Sequence, residues 1–190
     1  ALVAGDLTTT GVPLEPAGTM TYHELFEIYT EQITALAEAG ADLLVVETML
    51  GIDEMTVALE AAQSVCALPV LCSMTVQADG SGYFGGTCVE AVETLQELGA
   101  AAVGINCSTG PDQLESLVRN MRQAAKVPLL VKPNAGMPEI SPEGEAIYSM
   151  GPAAFAQHMR TLIDAGAALV GGCCGTDPRY ISALRDVLPR

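Results

Sequence analysis

The chain has 190 residues, of which 49% are hydrophobic and 16% are charged, and its formal net charge is −15 at pH 7. This length and composition fit one globular domain with a sizeable core, and the acidic charge argues against binding to nucleic acid or to anionic lipid. No apolar run approaches the roughly 20 residues that span a bilayer, and residues 1–5 lack the features of a signal peptide. We therefore expect a cytoplasmic protein with neither a nucleic-acid nor a membrane partner.

Short apolar runs typical of β-strands alternate with segments of helical periodicity along the whole chain. The predicted strands are residues 1–5, 43–47, 70–75, 102–106, 129–132 and 168–172. Strands that are apolar along their length are typical of a parallel sheet buried on both faces, so the pattern predicts six βα units of an α/β fold. The connection over residues 133–151 is long for this fold and is a candidate lid.

Helical periodicity is clearest in the connections after the first and fourth predicted strands. Apolar residues follow helical spacing over residues 22–37 and 114–121. Proline predicts further helix starts at Pro111, Pro152 and Pro178, because the N–H group at the first helical position has no partner within the helix.

A repeated glycine aligns three of the predicted units, at Gly40, Gly99 and Gly166. Polar or sulfur-bearing residues follow these glycines at the seventh and eighth positions, namely Glu47, Asn106 and Cys173, and Thr48, Cys107 and Cys174. In (β/α)8 barrels the carboxyl ends of the strands form the catalytic face. We therefore expect these side chains to converge at one end of a barrel.

The predicted fold class is an α/β (β/α)8 TIM barrel. Six βα units are two fewer than a full barrel needs, so we interpret residues 1–190 as a single barrel domain that lacks its first two units. A native open sheet of six strands is the alternative interpretation.

Three of the six cysteines, Cys107, Cys173 and Cys174, directly follow apolar runs. Zn²⁺ binds thiolates, and a catalytic zinc keeps three protein ligands and an open fourth position, so the pattern predicts a zinc site. Buried core cysteines or a vicinal disulfide are the alternatives. The remaining cysteines are expected to be structural, because buried cysteine behaves as a small hydrophobic residue; they are Cys66, Cys72 and Cys88.

Three segments resemble the homocysteine S-methyltransferase family: Gly-Ile-Asn-Cys-Ser at 104–108, Lys-Pro-Asn-Ala-Gly at 132–136 and Gly-Gly-Cys-Cys-Gly-Thr at 171–176. The likeness is greatest to the homocysteine-binding module of cobalamin-dependent methionine synthase and covers nearly the whole chain. The resemblance implies a (β/α)8 barrel in which three cysteines hold zinc and the zinc binds the sulfur of homocysteine; these are Cys107, Cys173 and Cys174.

The predicted function is that of a zinc-dependent S-methyltransferase, which activates homocysteine as a thiolate for methyl transfer to give methionine. A metal-bound thiol is deprotonated and therefore nucleophilic. The methyl donor is left open between methylcobalamin, betaine and S-methylmethionine. No cobalamin or folate module is recognisable, so cobalamin would belong to a separate domain of a longer chain, and we expect the isolated segment to be inactive.

Three polar residues are candidate substrate-binding residues, and no catalytic residue is predicted beyond the zinc site. Glu47 ends a predicted strand and is the best candidate to bind the α-ammonium of the substrate, a role that the resemblance also implies; a helix-capping or surface role is its alternative. Asn134 would contact the substrate carboxylate or hold the turn at Pro133. Asp6 ends the first predicted strand, and Ser108 is expected to donate a hydrogen bond to a thiolate.

Two other functions compete with methyl transfer. Gly171 and Gly172, together with the helix start at Asp177, would suit a barrel enzyme that binds phosphate. A non-catalytic zinc domain with a structural or sensing role would need a closed fourth ligand, which the sequence does not obviously supply.

Overall fold

The structure is a computed structural model, and it describes residues 1–188. The strands are β1 (Ala4–Thr8), β2 (Leu43–Met49), β3 (Val70–Met74), β4 (Ala102–Cys107), β5 (Leu129–Pro133), β6 (Pro138–Ile140), β7 (Ala146–Tyr148) and β8 (Ala167–Val170). The helices are α1 (Tyr22–Glu38), α2 (Ile52–Val65), α3 (Cys88–Glu97), α4 (Glu115–Ala124), α5 (Pro152–Asp164) and α6 (Pro178–Val187). Alternation of strand and helix confirms the predicted α/β class.

Six of the strands form one parallel sheet in the order β1-β2-β3-β4-β5-β8. The order follows the chain, as it does in a (β/α)8 barrel. Within residues 1–188 the sheet is open, with β1 and β8 at its two edges. All six carboxyl ends lie at the same end of the sheet, because parallel strands share one direction.

The first strand was predicted too early in the chain. Residues 1–5 were expected to form it, but β1 begins at Ala4 and runs to Thr8. Pairing with β2 sets these bounds, since Ala4 lies opposite Leu43 and Thr8 lies opposite Glu47. The apolar residues before β1 are exposed, and they gave a misleading local signal.

The long connection after β5 contains a small hairpin that was not predicted. Strands β6 and β7 pair in antiparallel register, with Pro138 opposite Tyr148. Gly144 has a positive φ of 87° and allows the chain to reverse between the two strands. Sequence periodicity missed this hairpin because each of its strands has only 3 residues.

The helices cover the sheet and start where capping residues or prolines place them. Thr21 and Thr87 form capping boxes with glutamates in the first turns of α1 and α3. Pro152 and Pro178 start α5 and α6, as predicted, whereas Pro111 starts a short 3₁₀ turn that precedes α4. None of the helices in the described part of the chain is both long and apolar enough to cross a membrane.

A buried carboxylate fixes the carboxyl end of β1 to α2. Glu54 is only 6% exposed, and it accepts hydrogen bonds from Thr9 Oγ1 at 2.5 Å, from the Thr10 backbone N–H at 2.7 Å and from the Tyr29 hydroxyl at 2.9 Å. A buried charge is tolerated when it is hydrogen-bonded in this way. The loop that follows β1 is therefore anchored beside the polar end of the sheet.

Candidate metal and substrate site

Backbone strain is concentrated where β2 and β4 end. Among residues 1–188, the residues other than glycine with positive φ are Thr48 (61°), Cys107 (54°) and Ser108 (63°). Each such conformation costs on the order of 1–3 kcal/mol, and such residues cluster at functional sites. The strain marks this end of the sheet, which is also where the predicted zinc ligands lie.

Three cysteine sulfurs converge at this end. The Sγ atom of Cys107 lies 2.8 Å from that of Cys173 and 3.7 Å from that of Cys174, and all three Sγ atoms lie within 4.8 Å of one another. All three cysteines are free thiols, so the vicinal disulfide considered above is not formed. Three convergent soft sulfur donors fit the ligand preference of zinc.

The environment favours the thiolate of Cys173. Its pKa is lowered by hydrogen bonds from the Cys107 thiol, from the Asn106 side chain and from the backbone N–H of Cys174, and these outweigh the opposing effect of burial. The pKa of Cys107 is raised, mainly because its thiol hydrogen-bonds to Cys173. The pair thus shares one proton, and a metal that binds both sulfurs would displace it.

The end of β5 holds the two adjacent cysteines. The backbone N–H of Cys173 donates to the carbonyl of Pro133 at 2.9 Å, and the N–H of Ala135 donates to the carbonyl of Cys174 at 2.9 Å. The N–H of Cys174 donates to Asn134 Oδ1 at 3.1 Å. The segments 132–136 and 171–176, which carry the family resemblance, are therefore parts of one folded unit.

Asn106 joins three strands beneath the sulfur cluster. Its side-chain oxygen accepts from the Thr48 N–H and from the Ser73 hydroxyl, both at 2.8 Å, and its amide group donates to Thr48 Oγ1 at 2.8 Å. The same amide lies 3.7 Å from Cys173 Sγ. Asn106 is 1% exposed, so it supports the sulfur cluster from below and is out of reach of solvent.

Glu47 forms an ion pair with Lys132 on the concave side of the sheet. The two residues belong to β2 and β5, which β3 and β4 separate in the sheet, so the contact crosses the concave face. Both side chains are 22% exposed. Burial lowers the pKa of Lys132, while the proximity of Cys173 and Asp6 partly offsets that effect. This places a carboxylate, an ammonium group and the sulfur cluster on one surface.

A cavity of about 310 Å³ lies between the loops that follow β3 and β4, and its lining includes Ser108, which follows Cys107. Val76, Ser108, Leu117 and Met137 are among its lining residues, and none of the lining residues is Asp, Glu, Lys, Arg or His. A zwitterionic ligand would find no charged partner there. The charged groups suited to such a ligand lie on the concave surface with Glu47.

Of the three predicted substrate-binding residues, Glu47 pairs with Lys132, Asp6 lies near that lysine, and Asn134 contacts the backbone of Cys174. Asp6 lies within β1 on its more exposed face, and partial desolvation of its carboxylate raises its pKa, an effect that Lys132 partly offsets. Asn134 is 7% exposed, and its side-chain oxygen binds the Cys174 N–H. Ser108 donates to the carbonyl of Asn106 and accepts from the Val76 N–H, so the expected bond to a thiolate is not formed.

Sequence reasoning missed Lys132 and the role of Asn106. Both residues stand in the motifs that were recognised, and Asn106 lies opposite Lys132 in the register of β4 and β5. The position of Lys132 at a strand end was an available signal. The other cysteines lie outside the cluster, and Cys72 and Cys88 are buried.

Known proteins resemble this chain over nearly its whole length. The sequence model of the homocysteine S-methyltransferase family matches residues 1–188. The chain is 30% identical over 186 residues to the methionine synthase of Mycobacterium leprae and 31% identical over 177 residues to that of Mycobacterium tuberculosis. These matches cover 95% and 90% of this chain but only 15% of each relative.

A solved structure has the same fold. The apo crystal structure of the homocysteine methyltransferase MmuM from Escherichia coli matches with a TM-score of 0.77 and 25% sequence identity. The match covers 98% of this chain and 62% of the MmuM chain. This chain therefore corresponds to only part of the MmuM chain.

Proposed function

The chain belongs to the homocysteine S-methyltransferase family, and on that premise we propose that it binds homocysteine for transfer of a methyl group to the substrate sulfur, giving methionine. The observation that carries the proposal is the convergence of Cys107, Cys173 and Cys174 within 4.8 Å. These three residues would hold zinc. When bound, zinc supplies an open coordination position at which the homocysteine sulfur is kept as a thiolate at neutral pH.

The residues around the sulfur cluster favour metal binding. Asn106 and the backbone N–H of Cys174 lower the pKa of Cys173 and so favour the thiolate that a metal needs. The β5 hydrogen bonds fix the turn that carries two of the sulfurs. Glu47, on the concave surface nearby, would bind the α-ammonium of homocysteine, with Asp6 and Asn134 as weaker candidates for substrate contacts.

We propose further that the six βα units correspond to six of the eight units of a (β/α)8 barrel. The open sheet and the partial coverage of MmuM support this interpretation. The relatives are also much longer than this chain. Methylcobalamin, betaine and S-methylmethionine remain the predicted donors, with cobalamin held by a separate domain, and the cytoplasmic location stays a prediction.

The two competing functions have less support. The carboxylate of Asp177 caps α6 by accepting from the Arg179 N–H at 2.8 Å, and a carboxylate in that place disfavours a bound phosphate. A structural zinc site needs a fourth ligand. Within residues 1–188, the only cluster of three or more such side chains is Cys107, Cys173 and Cys174.

The proposal is tested by measuring zinc content in single cysteine variants of a longer protein in which two further βα units complete the sheet. We expect about one zinc per chain in the unsubstituted protein. Replacement of any cluster member, for example Cys107→Ser, should remove most of the metal, because each residue supplies a third of the protein ligands. Cys66→Ser is the matched control, since Cys66 is a partly exposed free thiol at the end of α2.

Zinc content is read by elemental analysis and homocysteine binding by titration calorimetry. The expected result is that the cluster variants lose both zinc and homocysteine binding, whereas Cys66→Ser keeps both. Unchanged zinc content in all three cluster variants would show that the metal site has been misassigned. Zinc binding without any affinity for homocysteine would favour the structural or sensing alternative.

A further inference from the structure

Lys132 is an unusually buried cation in this protein. Its side chain is 22% exposed, compared with 77% for Lys126, the other lysine of the chain. Burial of an ammonium group is costly unless the group is paired, and here it lowers the pKa of Lys132. Lys132, a partly buried cation near the carboxyl end of β5, is therefore a candidate to bind an anionic group of a ligand.

The position of Lys132 ties it to the metal site. A Cβ atom built on Gly171 would lie 3.3 Å from Lys132 Cγ, so the lysine stem packs against the strand end that leads into the two adjacent cysteines. Hydrogen bonds also fix the backbone on both sides of Lys132. The Gly171 N–H donates to the carbonyl of Val131, and the Cys173 N–H donates to the carbonyl of Pro133. The ammonium group meets Glu47, the residue proposed to bind the substrate ammonium.

An α-amino acid offers an ammonium group and a carboxylate on the same carbon atom. Insertion of this group between Glu47 and Lys132 would replace one ion pair by two, so that neither buried charge loses its partner. We propose that Lys132 is a specificity-determining residue that binds the carboxylate of homocysteine while Glu47 binds its ammonium group. This inference rests on the proposed function. It adds that the site selects thiols that carry both an ammonium group and a carboxylate over thiols that carry only an ammonium group.

Other groups at this end of the sheet are less suited to the carboxylate. Arg179, at the start of α6, is 78% exposed and already paired with Asp177. The cavity next to Ser108 has no charged lining residue. The three thiolates and Asp6 would repel a carboxylate, and Lys132 lies close enough to Cys173 and Asp6 to offset their charge.

The test compares two ligands in a zinc-loaded protein in which two further βα units complete the sheet: homocysteine, and 3-aminopropanethiol, which is homocysteine without its carboxylate. Affinities are measured by titration calorimetry. The unsubstituted protein should prefer homocysteine by roughly tenfold or more, the range expected for a charged hydrogen bond. Lys132→Met should abolish most of that preference by weakening homocysteine binding while leaving 3-aminopropanethiol binding unchanged or tighter.

Two variants serve as controls. Lys132→Arg keeps the positive charge and should keep at least part of the preference. Lys126→Met removes the same charge from an exposed site and should leave both affinities unchanged. Zinc content and thermal melting are measured for each variant, so that loss of the fold is distinguished from loss of the carboxylate contact.

The inference is overturned if Lys132→Met weakens both ligands equally, because the ion pair with Glu47 would then be purely structural. It is also overturned if the unsubstituted protein binds the two ligands equally well, a result that needs no variant. A protein that binds neither ligand would contradict the proposed function itself. Binding of homocysteine that Lys132→Met leaves intact would contradict only the role of Lys132.

Discussion

The cysteines of this chain differ in chemistry because their surroundings differ. Burial alone raises the pKa of Cys72 to about 12, which keeps it a neutral core residue. Cys173 has its pKa lowered by hydrogen bonds from the Cys107 thiol, the Asn106 side chain and Cys174, and its sulfur lies within 4.8 Å of the other two sulfurs of the cluster. A thiolate is both the metal ligand and the nucleophile. The local hydrogen-bond donors thus distinguish Cys173 from the buried Cys72.

The carboxylate of Glu47 gives a prediction about substrate affinity. Glu47→Gln should weaken homocysteine binding by about 1.5–3 kcal/mol, since it removes a charged hydrogen bond to the substrate ammonium. Zinc content should be unchanged, because Glu47 is outside the sulfur cluster. Titration calorimetry and elemental analysis provide the two measurements.

A matched variant separates this effect from a change in net charge. Glu31→Gln removes the same charge from the exposed side of α1, and it should leave homocysteine affinity unaltered. Equal affinities in Glu47→Gln and the unsubstituted protein would eliminate the proposed ammonium contact. Loss of zinc in Glu47→Gln would instead indicate that the ion pair with Lys132 supports the metal site.

The strands β4 and β5 must approach each other closely for the site to form. Gly104 lies opposite Leu130 in the register of these strands, and a Cβ atom at Gly104 would overlap the backbone carbonyl of Leu130. Gly104 is also two residues before Asn106, which supports the sulfur cluster. A methyl group at this position would therefore disturb both the sheet and the metal site.

Gly104→Ala should lower the free energy of unfolding by roughly 1–3 kcal/mol, the usual cost of overpacking, and should reduce zinc affinity. Gly151→Ala is the control, because Gly151 has a φ of −78° and open space around its Cα; we expect its cost to stay below about 1 kcal/mol. Chemical denaturation and zinc titration measure the two effects. Equal stability of the two variants would refute the close-approach argument.

The open sheet makes a prediction about the isolated chain of 190 residues. In the described part of the chain, β1 and β8 are each paired on one side only, and Leu2, next to β1, is 74% exposed. Unpaired strand edges promote association. We expect concentration-dependent oligomers and no methyl transfer from this segment alone.

Light scattering after size-exclusion chromatography, over a range of protein concentrations, measures the association. A monomer at every concentration, with cooperative melting and methyltransferase activity, would be incompatible with the interpretation of six units as part of a barrel. Association that decreases when two further βα units complete the sheet would support it.

Residue types and their spacing were sufficient to predict the α/β class and the convergence of three cysteines, and the resemblance of three segments predicted the family. Alternation of apolar runs with helical periodicity is a local property, and the repeated glycines placed Glu47, Asn106 and Cys173 at equivalent strand ends. Since parallel strands end at one side of a sheet, convergence of Cys107 with Cys173 could be inferred although 66 residues separate them.

Contacts across the concave face of the sheet could not be read from the sequence. The pairing of Glu47 with Lys132 depends on how far the sheet curves between β2 and β5, and the bounds of β1 depend on its register with β2. Asn106 accepts a hydrogen bond from the Thr48 N–H and Asn134 accepts one from the Cys174 N–H, and only the three-dimensional structure shows these partners. Local sequence sets which side chains reach the polar end of the sheet, whereas strand register and curvature set which of them meet, because these depend on interactions among segments distant in the chain.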